Sequence, residues 1–419
     1  MGRVRSEKEL YRETVPALLA WYSYNARILP WREDPTPYHV WISEIMLQQT
    51  RVEAVRGYYD RFLREFPTVA AVAGASEDRL IKMWEGLGYY SRVRNIAKAA
   101  RELCERYDGE LPADCAMLRE LPGIGDYTAG AIASIAYGIR VPAVDGNVLR
   151  VFSRLTGYRD DIRTEVFKKQ VRDHLQDALE NGDVPEERCE SRAGADTADD
   201  NAASFGTNNA AATIGVNTAG AFNQAVMDLG ATVCIPNGKP HCDQCPLSHL
   251  CRAFAEGLAD EIPKKPERKA RPVEKKTILV IADEDGRVLL HRRPPKGLLA
   301  GMWEFPNVPG HLSIAAAKKE ATGVLAEAAG QSFQAVATAG KNDVGAPLTD
   351  KSFCAIRAHR LEKSRHVFSH VEWELRGFRL DVASAPIEVS NGEYVFATPQ
   401  EIAEEYGLPQ AFGAYRLHA

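Results

Sequence analysis

The chain has 419 residues, 45% of them hydrophobic and 26% charged, and a formal net charge of −5. That length is more than one hydrophobic core usually organises, so two domains are expected, with apolar content enough for both. The lack of any uncharged apolar run of about 18 residues argues against a membrane span, and the acidic balance excludes a protein that is basic all over, so any contact with a polyanion has to be local.

In chain order, Met1 to Glu13 carries Glu7, Glu9 and Glu13 among its basic residues, which suits neither a signal peptide nor a transit peptide. A soluble, cytoplasmic protein without membrane association is expected. From Glu7 to about Gly182 apolar residues recur at helical spacing and breaks fall at Pro30, Pro35, Pro67, Gly74, Gly109 and Pro122, which predicts successive helices and no strand. Within that run, the segment from Tyr38 to Thr50 sets Glu44 on the helix side away from Ile42, Ile45 and Met46 yet flanked by Val40 and Leu47. A carboxyl in apolar surroundings has a raised pKa and stays protonated near neutrality, as a general acid must.

The segment Leu121-Pro-Gly-Ile-Gly-Asp-Tyr-Thr-Ala-Gly130 places Gly123 and Gly125 ahead of an Ala-rich helical run. The glycines permit a tight turn, and the helix start offers free backbone N–H groups to a phosphate oxygen without a basic side chain. Asp145, in Val144-Asp-Gly-Asn-Val-Leu-Arg-Val151, precedes an apolar-periodic run and reads as a helix N-cap, held ionised beside the positive helix end. Two carboxyls whose environments push their pKa values apart make an acid and an anionic stabiliser, the pair that glycosidic bond cleavage through an oxocarbenium ion requires.

Residues 190–219 hold only Phe205, Ile214 and Val216 as large apolar side chains and read as a flexible surface insertion, with helical order resuming at Phe222. Of eight cysteines, Cys234, Cys242, Cys245 and Cys251 fall within eighteen residues, with gaps of seven, two and five. In a chain without a secretion signal, four thiolates so spaced hold zinc or a [4Fe–4S] cluster, and spacing alone leaves both open. The Lys- and Arg-rich run within 263–276 reads as a solvated linker in preference to a phosphate-binding strip. Beyond it, segments 277–281, 288–291, 366–368 and 373–380 read as strands, with a turn at Asp285-Gly286, so the architecture changes near Pro263.

With Trp41-Ile-Ser-Glu-Ile-Met-Leu-Gln-Gln-Thr50, Trp84-Glu-Gly-Leu-Gly-Tyr-Tyr-Ser91, the glycine hairpin, Val144-Asp-Gly-Asn147, Phe222-Asn-Gln-Ala225 and the four cysteines in this order, the chain resembles the MutY adenine DNA glycosylases of the endonuclease III, helix-hairpin-helix superfamily. The resemblance covers almost the whole length outside the insertion. It implies a mainly α N-terminal part, a helix-hairpin-helix glycosylase domain of two helical subdomains with an iron–sulfur loop (1–189 and 220–262), and a smaller α+β MutT/Nudix-like C-terminal domain (277–419). The implied enzyme is a monomeric, monofunctional DNA glycosylase of base excision repair. It would turn adenine opposite 8-oxoguanine (or guanine) out of double-stranded DNA and leave an abasic site.

In that family pattern Glu44 protonates adenine at N7 and later helps to activate water, and Asp145 stabilises the sugar cation, supported by Asn147 and Tyr127. Arg27, Trp31 and Gln224 match the adenine pocket, while Gln49, Thr50, Leu87 and Tyr89 match residues that wedge into the duplex and contact the opposite base. The resemblance makes the four cysteines ligands of a [4Fe–4S] cluster, although the first gap, around Asn237-Gly238, is one residue longer than the family's usual six. Tyr127 stands where bifunctional relatives carry a lysine, so no Schiff base with the sugar is expected. Thymine-removing relatives share the tyrosine but lack the acid at the Glu44 position. In the C-terminal part, Leu289-Leu-His-Arg-Arg-Pro and Gly297-Leu-Leu-Ala-Gly-Met-Trp-Glu-Phe-Pro306 resemble the MutT-like domain. Ala315 to Gly323 lacks the Arg-Glu-x-x-Glu-Glu set that would hold magnesium, which implies binding without hydrolysis. Phe368, Ser369 and His370 match the loop that reads 8-oxoguanine. Two rivals are weighed against this reading: a DNA-binding module that no longer cleaves, opposed by intact Glu44, Asp145 and Asn147, and a nucleotide pyrophosphohydrolase, opposed by the missing glutamates.

Overall fold

The computed structural model describes residues 5–182, 217–264, 270–330, 356–382, 389 and 392–418. The chain divides into two compact units, one formed by residues 1–74 and 95–267, the other by 75–94 and 268–419. Among the described residues no strand precedes Val273, so the expected change from helical to α+β architecture is what the molecule has.

The first unit is helical. Helix α1 (Glu7–Asn25) starts with a capping box in which the Ser6 side chain and Glu9 exchange hydrogen bonds with each other's backbone N–H. Its buried face, Tyr11, Val15, Leu18, Leu19 and Tyr22, joins one apolar core with residues of α10 (Gly146–Thr156), α11 (Glu165–Asn181) and α12 (Thr218–Thr232). Before them come α2 (Pro30–Glu33), α3 (Pro37–Leu47), α4 (Val52–Glu65) and α5 (Val69–Gly74). The second unit's first segment holds α6 (Glu77–Met83), and the boundary between the units falls inside α7 (Ser91–Arg106). Then come α8 (Cys115–Glu120) and α9 (Asp126–Tyr137), and α13 (Arg252–Ala255) follows the cysteines.

Two helices are buried almost all round. In α3, every residue from Val40 to Met46 is buried, Glu44 included, and the helix packs against α9 and α4. In α12, the small residues Ala219, Gly220, Ala221 and Ala225 let it approach α9 closely: a Cβ on Gly220 would lie 2.8 Å from the Ser134 carbonyl oxygen. Of the stretch expected to be an insertion, residues 190–216 lie outside the described residues. Its last three form a cap and first turn, because the Asn217 side chain accepts from the Gly220 N–H and donates to the Ser134 and Ile135 carbonyls. Helical order therefore begins at Thr218, four residues earlier than expected.

The second unit is built on a sheet ordered β3-β2-β1-β6-β5, with β4 paired to β1 and β7 to β2. The strands are β1 (Val273–Ala282), β2 (Val288–Arg292), β3 (Trp303–Glu304), β4 (Asn307–Pro309), β5 (Arg357–Val367), β6 (Glu372–Asp381) and β7 (Tyr394–Ala397). Alternation along β1 and β6 sends Ile278, Val280, Trp373 and Leu375 into one core, and Leu279, Ile281, Phe378 and Leu380 into another that α14 (Ile314–Ala328) covers. Helix α15 (Pro399–Glu404) and a final 3-10 stretch, Gln410–His418, close the unit, and the Tyr415 ring lies on Gly377 so tightly that a Cβ there would meet it at 2.3 Å. Residues 273–276, expected in the linker, are the first four of β1, paired in parallel with Glu372 to Leu375.

Candidate active site

In the helical unit a cavity of about 610 Å³ is lined by Glu44 from α3, Tyr127 from the first turn of α9, Asp145 and Asn147 at the start of α10, and Gln224 and Met227 from α12. Arg27, Trp31, Gln49, Thr50 and Gly125 line it as well. Ten of the residues singled out from the sequence thus meet at one cavity, although they come from five separate stretches of chain.

Glu44 is 5% exposed. Burial, chiefly, pushes its carboxyl up to about 7; the neighbouring Asp145 adds to the rise, while the Tyr127 hydrogen bond and the positive Arg32 pull against it. The Tyr127 hydroxyl donates to Glu44 Oε2 at 2.5 Å. That corrects the expected support of Asp145 by Tyr127: packing of α9 against α3 aims the phenol at the glutamate.

Asp145 caps α10, its Oδ1 accepting from the Val148 N–H at 2.8 Å, and Asn147 Nδ2 donates to its Oδ2 at 2.7 Å. The sequence reading has this carboxyl ionised beside the positive end of α10, and the structure adds an opposing influence. Burial outweighs the hydrogen bonds from Val148 and Asn147 and leaves the pKa raised. Both carboxyls therefore border one water-poor site. Trp31 is buried with its ring edge on Tyr59, so it packs the core and walls the cavity at once. Gln224 is buried too, and its amide donates to the Gly220 carbonyl one turn back. Gln49, by contrast, is exposed just past α3 with a left-handed backbone, φ 57°.

Three polar residues of this site were not picked out from the sequence. Asp228, fully buried on α12, accepts from Arg27 Nε at 2.8 Å and from Arg32 through both Nη atoms at 2.8 and 2.9 Å. Burial works against the charge on both Arg32 and Asp228, yet their mutual bonds win: the arginine ends above and the aspartate below its ordinary value. Arg150 is the third, donating to the Asn147 side-chain oxygen at 2.9 Å and to the carbonyls of Gly230 and Cys234. No local signal in the sequence located Asp228, because its arginine partners lie far along the chain.

The glycine turn forms the predicted hairpin between α8 and α9. Gly123 adopts φ +81°, and a Cβ there would lie 2.7 Å from Asn95 Cβ, whereas Gly125 has ordinary backbone and open space around it as the N-cap of α9. The first glycine is thus required by conformation and crowding, the second leaves the helix start uncovered.

Cys234, Cys242, Cys245 and Cys251 line one small cavity with Arg154, Val233 and Phe254, and all four are free thiols. Burial pushes the Cys245 thiol up to about 12. Arg154, itself buried, places Nη1 3.2 Å from Cys234 Sγ.

The two remaining predicted groups lie in the second unit. In the loop between α6 and α7, Tyr89 is 45% exposed but Leu87 is only 6% exposed, so Leu87 packs the loop and Tyr89 projects from it. Between β5 and β6, the Phe368 N–H donates to the Val371 carbonyl to close a tight turn, with Phe368 against Trp373 and with Ser369 and His370 exposed at its tip.

The hairpin and the paired acids agree with a match to the HhH-GPD superfamily of base excision DNA repair proteins over residues 42–177, and residues 277–416 match the NUDIX domain. Fold and site together therefore have the makeup of a helix-hairpin-helix base excision DNA repair protein carrying a Nudix-like domain. Curated relatives include adenine DNA glycosylases from Mus musculus (32% identical; 96% of this chain, 77% of the relative), Homo sapiens (34%; 70% and 57%) and Buchnera aphidicola of Schizaphis graminum (32%; 69% and 73%). The match thus spans about three fifths of the human relative's length. The chain belongs to the adenine DNA glycosylase family.

Proposed function

We propose that the protein excises adenine mispaired with 8-oxoguanine from double-stranded DNA by hydrolysis, leaving an abasic site. The observation that carries this reading is one cavity holding a buried acid, Glu44, whose pKa is about 7, beside the capped carboxylate Asp145. An extruded adenine enters the cavity between Trp31, Gln224 and Arg27. Glu44, still protonated, delivers its proton to N7, so that the base departs neutral, and then takes a proton from the attacking water. Asp145, its lone pairs oriented by Asn147 and the Val148 N–H, faces the cation that develops on the sugar. Tyr127 has no amine to trap that sugar, so the strand stays uncut.

Binding is local, as the acidic net charge demands. The uncovered start of α9 receives a phosphate, Tyr89 enters the base stack, Gln49 and Thr50 reach the opposite base, and the Phe368-Ser369-His370 turn contacts the edge that oxidation alters on guanine. The four thiols suit a [4Fe–4S] cluster. All four sulfurs line one cavity, as ligands of a shared group do. When bound, the cluster supplies a tether that orders the loop carrying Lys239 and His241. No helix among the described residues is long and apolar enough to cross a membrane.

Single-turnover cleavage of a duplex with adenine opposite 8-oxoguanine tests the reading: wild type yields abasic product, and Glu44→Gln binds the duplex but yields none. Ser369→Ala should narrow the preference for 8-oxoguanine over guanine more than it slows excision. A Glu44→Gln protein cleaving at the wild-type rate defeats the proposal.

A further inference from the structure

The loop that carries Tyr89 is held in a conformation it would not keep unaided, and the side chain holding it belongs to Arg92. Between Trp84 and Tyr90, three residues have left-handed backbones: Gly86 at φ 99°, Gly88 at φ 71° and Tyr89 at φ 48°. At Gly88 nothing lies within 4 Å of a built Cβ, so its glycine answers to backbone conformation and not to crowding. Tyr89 has a Cβ, and the left-handed region is unfavourable for it; a residue held there without opposing contacts relaxes. Its ring nevertheless stands half-exposed at the tip.

Arg92, in the first turn of α7, folds back beneath this tip. Its Nη2 donates to the Leu87 and Gly88 carbonyl oxygens, both at 3.1 Å, and these are the two peptides that lead into Tyr89. The guanidinium also lies 5.4 Å from the Trp84 ring centroid and 5.6 Å from that of Tyr89. Trp84 Nε1 shares the Gly88 carbonyl at 3.2 Å, and the Tyr90 hydroxyl accepts from the Gly86 N–H at 3.2 Å. Arg92 is 7% exposed, so its charge is spent inside the loop rather than offered to solvent. Both bonds come from one nitrogen, Nη2, so what a lysine would lack here is the planar guanidinium that faces the Trp84 and Tyr89 rings.

We propose that Arg92 is a positioning residue that keeps the Tyr89 loop rigid enough to part a base pair. The inference rests on the reading of Tyr89 as the residue that enters the duplex. A loop that yields on contact would lose the energy needed to unstack a base, whereas a preformed one transmits it. The brace therefore matters when an adenine must be separated from a partner, and little when the adenine is already extruded.

The test is single-turnover cleavage by the full-length protein of adenine opposite 8-oxoguanine and of adenine in a single-nucleotide bulge, for Arg92→Met, Arg92→Lys and Tyr89→Ala. Both Arg92 variants should slow the paired substrate on the order of 10- to 100-fold and the bulge by much less, in parallel with Tyr89→Ala. Arg92→Lys keeps the charge and loses the planar guanidinium, so it stands in should the methionine variant fold poorly. Equal slowing on both substrates would reduce Arg92 to a general packing role and overturn the proposal. So would unchanged cleavage by the Arg92 variants while Tyr89→Ala remains selectively slow, with the intercalation reading left standing. If Tyr89→Ala slows both substrates alike or neither, intercalation itself fails and the brace falls with it.

Discussion

Tyr127 and Glu44 form a pair whose sign can be worked out. A donor bonded to a carboxylate favours the ionised form, so the Tyr127 hydroxyl holds Glu44 below the value that burial alone would set. Activity that needs protonated Glu44 falls as pH rises through about 7. Tyr127→Phe removes the donor and keeps the ring, so the alkaline limb of the single-turnover rate should move to higher pH; a limb that stays put or moves down would contradict the assignment. The same reasoning fixes a stability effect. Glu44 has a folded pKa above its unfolded one, so its contribution is fully present below about 4.5 and is lost as pH rises through about 7. Glu44→Gln should therefore raise the melting temperature at pH 8.5 and change it little at pH 4. Glu44 was legible in the sequence because its apolar neighbours on α3 announce its burial. Asp228 was not, since the arginines that neutralise it lie 201 and 196 positions away.

Among elements, the α8–α9 hairpin was the most legible, because glycine spacing and an Ala-rich run are local signals. Its two glycines are not equivalent, which only the packing reveals. Gly123→Ala forces a left-handed alanine against Asn95 and should destabilise the fold by about 1–2 kcal/mol or more in chemical denaturation. Gly125→Ala meets open space, so its stability should be near wild type, while affinity for duplex DNA drops if the start of α9 holds a phosphate. Equal stability losses at both positions would refute this asymmetry. The start of α12 and the first residues of β1 were misread for a shared reason. Small or charged residues at an element's end look like loop in isolation, and it is Ser134 on α9, or β6 alongside, that supplies the partners.

For the whole molecule, the cysteine loop joins separate cores. Cys234 belongs to the core of α1, α10, α11 and α12, while Cys242 packs with Ala253, Ala259 and Ile262, and Cys251 touches both groups. Losing whatever the thiols bind should loosen more than a loop. Cys245→Ser is expected to lose iron and sulfide, lose visible absorption and melt at a lower temperature than wild type; wild-type protein that is colourless and holds one zinc per chain would exclude the iron–sulfur reading.

By itself the sequence determined which residue types could do chemistry and on which elements they ride, because periodicity, glycine turns and cysteine spacing act over a few residues. It also marked the passage from helices to sheet near Pro263. The tertiary structure alone decided which groups face one another: Tyr127 toward Glu44 and not Asp145, Asp228 between two arginines, Asp145 raised by burial in spite of its helix, Arg92 beneath Tyr89. Those outcomes depend on desolvation and on contacts between distant segments, quantities that exist only once the chain has closed around them.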